Sequence, residues 1–146
     1  MEEQMSNQQA FSEKVVWITG ASGGMGEEMA VAFAESGSKV VLSARNEQQL
    51  ERVKDRCCDA GASRESLLVL PLDVVDLEAM PAAVDSVMES YSRIDLLINN
   101  AGVGVRDFCT DVQLDLYRTA LEVNLIGPIA LTKQVLPIMI KQKSGH

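Results

Sequence analysis

A chain of 146 residues, 47% apolar and 23% charged, is long enough for one domain with a real core and has the make-up of an ordinary globular protein. Its net charge of −8 excludes a general nucleic-acid binder, which needs a basic face. The single histidine is the last residue, His146, and Cys57, Cys58 and Cys109 form no CxxC pair, so no metal site is expected and reduced thiols in the cytoplasm are.

Residues 1–12 are polar and predict a flexible tail, with neither the basic start nor the apolar run of a secretory leader. One domain is expected over 13–146. Residues 15–19, Val-Val-Trp-Ile-Thr, predict a buried strand. A glycine-rich turn follows, and then a helix over about 24–36 with Met25, Met29, Ala32 and Phe33 on one face and Gly37 at its C′ position. Residues 39–43 predict a second strand. Asn46 is placed as the N-cap of the next helix, with Gln49 three residues on, an apolar stripe of Leu50, Val53 and Cys57, and Gly61 at its end.

Residues 67–72 predict a third strand, with Pro71 marking a strand end or a sheet edge. A helix opens near Asp76, or later because Pro81 lies deep for a first turn, and carries Leu77, Met80, Val84, Val87, Met88 and Tyr91 on one side. Residues 94–98 predict a fourth strand ending at Asn99-Asn100-Ala101-Gly102, and 103–110 a loop. A long helix over 111–142 is expected, broken or bent at Gly127-Pro128 and at Pro137. Its apolar stretch at 123–140 is interrupted by Asn124, Lys133 and Gln134, so no membrane span is expected. Apolar strands alternating with amphipathic helices predict an α/β fold, a Rossmann-like doubly wound parallel sheet of which this is the N-terminal half, with strand order 3-2-1-4.

The chemistry starts at the turn Thr19-Gly20-Ala21-Ser22-Gly23-Gly24-Met25-Gly26. A strand, a tight glycine turn and a helix start form a phosphate cradle: backbone N–H groups point outward and the helix adds partial positive charge. Two glycine spacings fit, Gly20, Gly24 and Gly26 or Gly20, Gly23 and Gly26, and neither is the common G-x-G-x-x-G. At the end of the second strand, where an acid would accept from the ribose of NAD, stand Ser43, Ala44 and Arg45. Arg45, beside Asn46, offers a fork of donors to a 2′-phosphate, which predicts NADP(H) over NAD(H). Pro128 has no N–H to return to the carbonyl of Asn124, which leaves that carbonyl open to water or a side chain.

The first glycine spacing, Asn99-Asn100-Ala101-Gly102, Leu72-Asp73-Val74 and Asn124 within Leu121–Gly127 together resemble the short-chain dehydrogenase/reductase family in its shorter, single-domain form. The resemblance covers residues 14–146 and fixes the glycines as Gly20, Gly24 and Gly26. The runs at 15–20, Leu42-Ser43-Ala44-Arg45 and Val69-Leu70-Pro71-Leu72-Asp73 also resemble its branch called dehydrogenase/reductase member 7. The resemblance implies that Gly20, Ser22, Gly24 and Met25 line the pyrophosphate and its riboses, and that Asp73 with Val74 holds the adenine edge. It places Asn100, Ala101 and Gly102 under the adenosine ribose, and makes Asn124 the holder of a water in a catalytic proton relay. The plain alternatives are a polar strand end for Asp73, a turn former in Asn100, a solvated surface Arg45 and a bare helix bend at Asn124.

The resemblance further implies hydride transfer between nicotinamide and a small carbonyl or alcohol substrate, with a Ser and a Tyr-x-x-x-Lys doing the chemistry. Neither tyrosine matches: Tyr91 is followed four residues on by Asp95, and Tyr117 by Leu121. The expectation is therefore a fragment or truncated form of an NADP(H)-dependent oxidoreductase, holding a cofactor site but not the proton-transfer set. The alternative is a non-catalytic dinucleotide-binding or dimerising module, and the resemblance implies a homodimer through the 111–142 helix.

Overall fold

Five consecutive apolar or β-branched residues, Val15–Thr19, form β1, and all five are buried. The computed structural model describes residues 10–106 and 108–146. After β1 come α1 (Gly24–Glu35), β2 (Lys39–Ser43), α2 (Glu47–Asp59), a 3₁₀ turn (Arg64–Ser66) and β3 (Leu67–Val69). These lead into α3 (Met80–Tyr91), β4 (Leu96–Ile98), α4 (Leu114–Leu121), a π-helical turn (Glu122–Ile126) and α5 (Gly127–Gln142). The four strands are parallel in the order β3-β2-β1-β4, as expected. Alternation along β1 divides the core: Val15 and Trp17 face Met80, Val84, Val87, Leu131 and Val135 of α3 and α5. Val16 and Ile18 face Ala30, Ala34, Leu50 and Val53 of α1 and α2. Both faces of the sheet are thus covered, which is why its strands are continuously apolar.

Several elements differ from expectation. In α1 the buried residues are Gly26, Glu27, Ala30 and Ala34, while Met25 is 78% exposed and Ala32 is also exposed. The small residues at 26, 30 and 34 let the helix lie close to the sheet, so its inner face runs through them and not through Met25 and Ala32. Of the expected tail, residues 1–9 lie outside the described residues. Phe11 packs edge-on against Phe33 at 5.2 Å between ring centres, and the Ser38 hydroxyl donates to its carbonyl at 2.8 Å. β3 is shorter than expected, yet Leu70 and Leu72 still donate to Leu42 and Ala44 of the neighbouring segment at 2.9 and 3.0 Å. Pro71, between them, turns its missing donor outward on an edge strand, where nothing needs it.

β4 is also shorter than expected; Asp95 donates to Val15 at 2.9 Å on its β1 side. On the other side, Leu97 donates to the carbonyl of His146 at 2.9 Å and His146 donates to Asp95 at 3.0 Å, so the last residue is paired as a strand would be. α3 begins at Met80, with Pro81 in its first turn, and Asp76 instead closes a separate turn by accepting from Ala79 at 3.2 Å. Leu77 consequently lies outside the helix and is 45% exposed.

The bend expected at Gly127-Pro128 is a widened π turn: the Gly127 N–H donates to Glu122. The wider turn absorbs the proline, and neither Pro128 nor Pro137 ends the helix. Helix therefore runs unbroken over Leu114–Gln142, 29 residues with a mean hydropathy of 1.5 in its most apolar window. By length and composition that suffices to cross a membrane, contrary to expectation. In this structure Leu131, Val135 and Met139 of α5 pack into the core beneath the sheet.

The core holds one polar pair that depends on a single partner. The Trp17 indole N–H donates to the Ser43 hydroxyl at 2.8 Å, with both residues buried. Ser43→Ala leaves that N–H without an acceptor and is expected to cost about 1–3 kcal/mol in urea unfolding, whereas Ser43→Thr keeps the hydroxyl and should cost less.

Candidate functional site

Because α1 and α2 lie on one face of the sheet and α3 and α5 on the other, the connections leaving β1 and β4 part in opposite directions. A crevice of about 460 Å³ opens there, beyond the C-terminal ends of the strands. It is lined by Gly20, Ser22, Gly23 and Met25 from the glycine turn, and by Arg45 and Asn46 after β2. Asp73 and Val74 after β3, and Asn100, Ala101 and Gly102 after β4, complete the expected residues within it. Thr19, Gly24, Gly26 and Asn124 stand outside the lining and act on it through neighbours. Ala44, Gln49, Leu72, Val103 and Val123 also line it and were not assigned to it from the sequence. Four of these adjoin an expected site residue, which is the signal that could have found them; Gln49 had been assigned only to the helix cap, where it does donate to Asn46 at 3.0 Å.

The crevice wall is set by contacts between main chains. Thr19, buried at the end of β1, accepts from the N–H groups of Asn100 and Ala101 at 3.1 Å each and donates to Ile98 at 3.3 Å. The Asn100 amide donates back to the carbonyls of Thr19 and Gly20 at 3.0 and 3.2 Å. A Cβ on Gly26 would lie 2.2 Å from the Gly20 oxygen and 2.6 Å from the Asn100 amide nitrogen. Gly20 has φ +67°, and a Cβ there would lie 2.8 Å from the Ala101 Cα. These glycines serve close packing. Gly24, at φ +56°, serves conformation: a Cβ there meets nothing within 4 Å. Open space therefore stands before the first turn of α1, whose N-cap residue Gly23 offers no side-chain cap. A phosphate group suits both features: it fills the space and accepts from otherwise uncapped N–H groups.

One acid sits under this turn. Glu27, in the first turn of α1, is 6% exposed. It accepts from Arg52 of α2 at 2.7 and 2.6 Å and from Arg56, which also bonds Glu28 at 2.9 Å. The hydrogen bonds from Arg52 and then Arg56 outweigh desolvation and hold the Glu27 carboxyl at about 2. The sequence reading missed this network, because nothing local marks an acid of α1 as the partner of bases 25 and 29 residues on.

Arg45 is exposed and, among the described residues, makes no ion pair or side-chain hydrogen bond, so its guanidinium is available to the crevice it lines. Asp73 accepts from Val75 at 3.2 Å, a turn within its own loop, and still lines the crevice. Asn124 lies in the π turn, and its side chain clamps the main chain of Val103: it accepts from the N–H at 2.9 Å and donates to the carbonyl at 2.8 Å. A Cβ on Gly127 would lie 2.4 Å from the Val74 carbonyl oxygen, so the start of α5 packs directly on the loop after β3.

The family model described as short chain dehydrogenase matches residues 14–146. The chain is 47% identical over 136 residues to dehydrogenase/reductase SDR family member 7 of Homo sapiens, covering 92% of this chain and 40% of that protein. It is 43% identical to a dehydrogenase/reductase SDR family protein 7-like of Drosophila melanogaster, covering 91% of this chain and 41% of that one. The chain thus spans about 40% of the length of the curated relatives it matches. Among solved structures it resembles a metagenomic short-chain oxidoreductase in complex with NADP, with TM-score 0.85, 31% identity, and 94% of this chain and 61% of that one covered. It also resembles a Caenorhabditis elegans short-chain dehydrogenase/reductase of unknown function with cofactor, with TM-score 0.84, 32% identity, and 92% and 51% covered.

Two substitutions test the site's construction. Gly26→Ala forces Cβ onto the Gly20 carbonyl, and a loss of about 1–3 kcal/mol in chemical unfolding is expected. Glu27→Gln is expected to lower stability by about 1–2 kcal/mol at pH 7, a value discounted because both arginines are half exposed. The folded-state carboxyl at about 2 lies below its ordinary 4.5. Its contribution is therefore full above that ordinary value and is lost as pH falls toward 2. Unfolding curves of the two proteins should converge over that window.

Proposed function

The chain belongs to the short-chain dehydrogenase family, and from that premise we propose that its crevice holds NADP(H) as the cofactor half of an oxidoreductase. The observation that carries the proposal is the convergence on one crevice of the glycine turn, Arg45, Asp73, Val74 and residues 100–102, which are scattered through the sequence. The pyrophosphate would lie at the start of α1, against Gly20, Ser22, Gly23, Gly24 and Met25. Arg45 and Asn46 would hold the 2′-phosphate, Asp73 and Val74 the adenine edge, and Asn100, Ala101 and Gly102 the adenosine ribose. When bound, the cofactor supplies hydride exchange with a small carbonyl or alcohol substrate.

The chain's own residues bind and orient. Thr19 and Asn100 lock the turn to the end of β4, which keeps the cradle preformed. Asn124 pins Val103 at the crevice rim, and its carbonyl lacks the α-helical donor that Pro128 would otherwise supply. That carbonyl is the proposed holder of a relay water. The alternative reading is a non-catalytic dinucleotide-binding or dimerising module, which the exposed apolar side chains of the long helix favour. Exposed Leu116, Leu121, Leu125, Ile129 and Leu136 support a homodimer through the 111–142 helix, and three free thiols suit the cytoplasm.

Titration with NADPH, followed by its fluorescence, should show saturable binding, with NADH weaker. Arg45→Asp is expected to remove that preference by roughly 10- to 100-fold, the worth of a charge-assisted bond to phosphate. An unchanged NADPH/NADH ratio would refute the role of Arg45. NADPH oxidation with a panel of ketones, aldehydes and quinones should be absent from this chain, and measurable turnover would refute the module reading.

A further inference from the structure

The Glu27–Arg52 pair does more than join two helices. Arg52 carries a third bond: Nη2, which meets Glu27 at 2.6 Å, also donates to the carbonyl of Ser22 at 3.2 Å. Ser22 and Gly23 are the middle of the glycine turn, and both line the crevice. Little else fixes the peptide between them. The Gly20–Ala21 peptide is tied at both ends, by the Ala21 N–H donating to the Ser43 carbonyl at 3.0 Å and by the Asn100 amide donating to the Gly20 carbonyl. At Gly23 the carbonyl accepts only a long bond, 3.4 Å from Glu27, and an added Cβ would meet nothing nearer than 4.0 Å. A trans peptide points its C=O and N–H in opposite directions, so a donor that holds the Ser22 carbonyl also sets the direction of the Gly23 N–H.

We propose that Arg52, fixed by the nearly buried carboxylate of Glu27, is a positioning residue for cofactor binding. Its grip on the Ser22 carbonyl turns the Gly23 N–H into the crevice, toward the place of a phosphate oxygen. The inference rests on the dinucleotide reading above. Arg56 is the internal control: it bonds Glu27 and Glu28 but not the turn. Glu27 earns its burial in this scheme, since it gives Arg52 one geometry, and its charge is cancelled where an unpaired acid would repel a phosphate.

The test compares Arg52→Met with Arg56→Met, both of which keep an apolar stem and weaken the same network. NADPH affinity, thermal unfolding, and backbone hydrogen exchange over 20–26 without ligand are measured in each. The expected result is about a tenfold loss of NADPH affinity in Arg52→Met, against less than about a twofold change in Arg56→Met, at comparable melting temperatures. Exchange over 20–26 should quicken in Arg52→Met alone. Unchanged affinity in Arg52→Met, or equal losses in both variants, overturns the proposal. If Arg52→Met does not fold, Arg52→Lys is read by the same criteria, since one ammonium cannot span Glu27 and Ser22 as the guanidinium fork does. If the wild-type chain fails to bind NADPH, the dinucleotide reading falls by itself. The exchange comparison then still decides whether Arg52 holds the turn: faster exchange in Arg52→Met than in Arg56→Met supports it, and equal rates overturn it.

Discussion

The structure depends on the contact of two main chains that leaves no room for a side chain. Gly26 faces the carbonyl of Gly20, and the Asn100 amide bonds that same carbonyl from the end of β4. This triangle joins three elements that are remote in sequence: the end of β1, the first turn of α1 and the strand across the topological switch. It brings α1 close enough for Ala30 and Ala34 to serve as its buried face. It also points the start of α1 at the crevice. A larger residue at 26 would push the helix away from the strand and move the cradle with it, so packing and function are here one geometric condition.

Electrostatics follow from that placement. An acid in the first turn of a helix is favourable toward the backbone dipole, yet beside a phosphate site it is a liability. Glu27 meets both demands because Arg52 and Arg56 reach it from α2 and keep it ionised and compensated. The cost of burying a carboxylate is offset only by this double pairing. Arg45, on the loop that leads into the same helix, has no charged partner among the described residues and lines the crevice. The −8 chain thus places compensated charge beneath the turn and, among the described residues, an unpaired arginine at the crevice mouth.

Much of this was legible in the sequence because the signals were local. The boundaries of β1 and β2, the Asn46 cap and the left-handed Gly37 and Gly61 follow from residues within a few positions of one another. The strand order followed from the alternation of elements. What stayed hidden was the outcome of competition between distant groups. Helical spacing of apolar residues placed Met25 and Ala32 on one face of α1, whereas close approach to the sheet selected Gly26, Ala30 and Ala34 as the inner face. Two prolines suggested a broken or bent helix, but one widened turn accommodates Pro128, and α5 continues through Pro137 as well. The pairing of Glu27 with Arg52 and Arg56 depends on how α1 and α2 lie side by side, and no spacing along the chain encodes that.

The long helix is coupled to the crevice more tightly than its place in the chain suggests. At its π turn the Asn124 side chain clamps Val103, and one turn later Gly127 packs against the Val74 carbonyl, so two separate crevice loops rest on it. Farther on, Leu131, Val135 and Met139 anchor the same helix in the core, and the Gln142 amide exchanges two bonds with Ile94 at 3.1 and 2.8 Å. The exposed Leu125, Ile129 and Leu136 lie between those anchors. The helix that carries these exposed apolar side chains is thus the one that supports both the Val103 rim and the Val74 wall of the crevice.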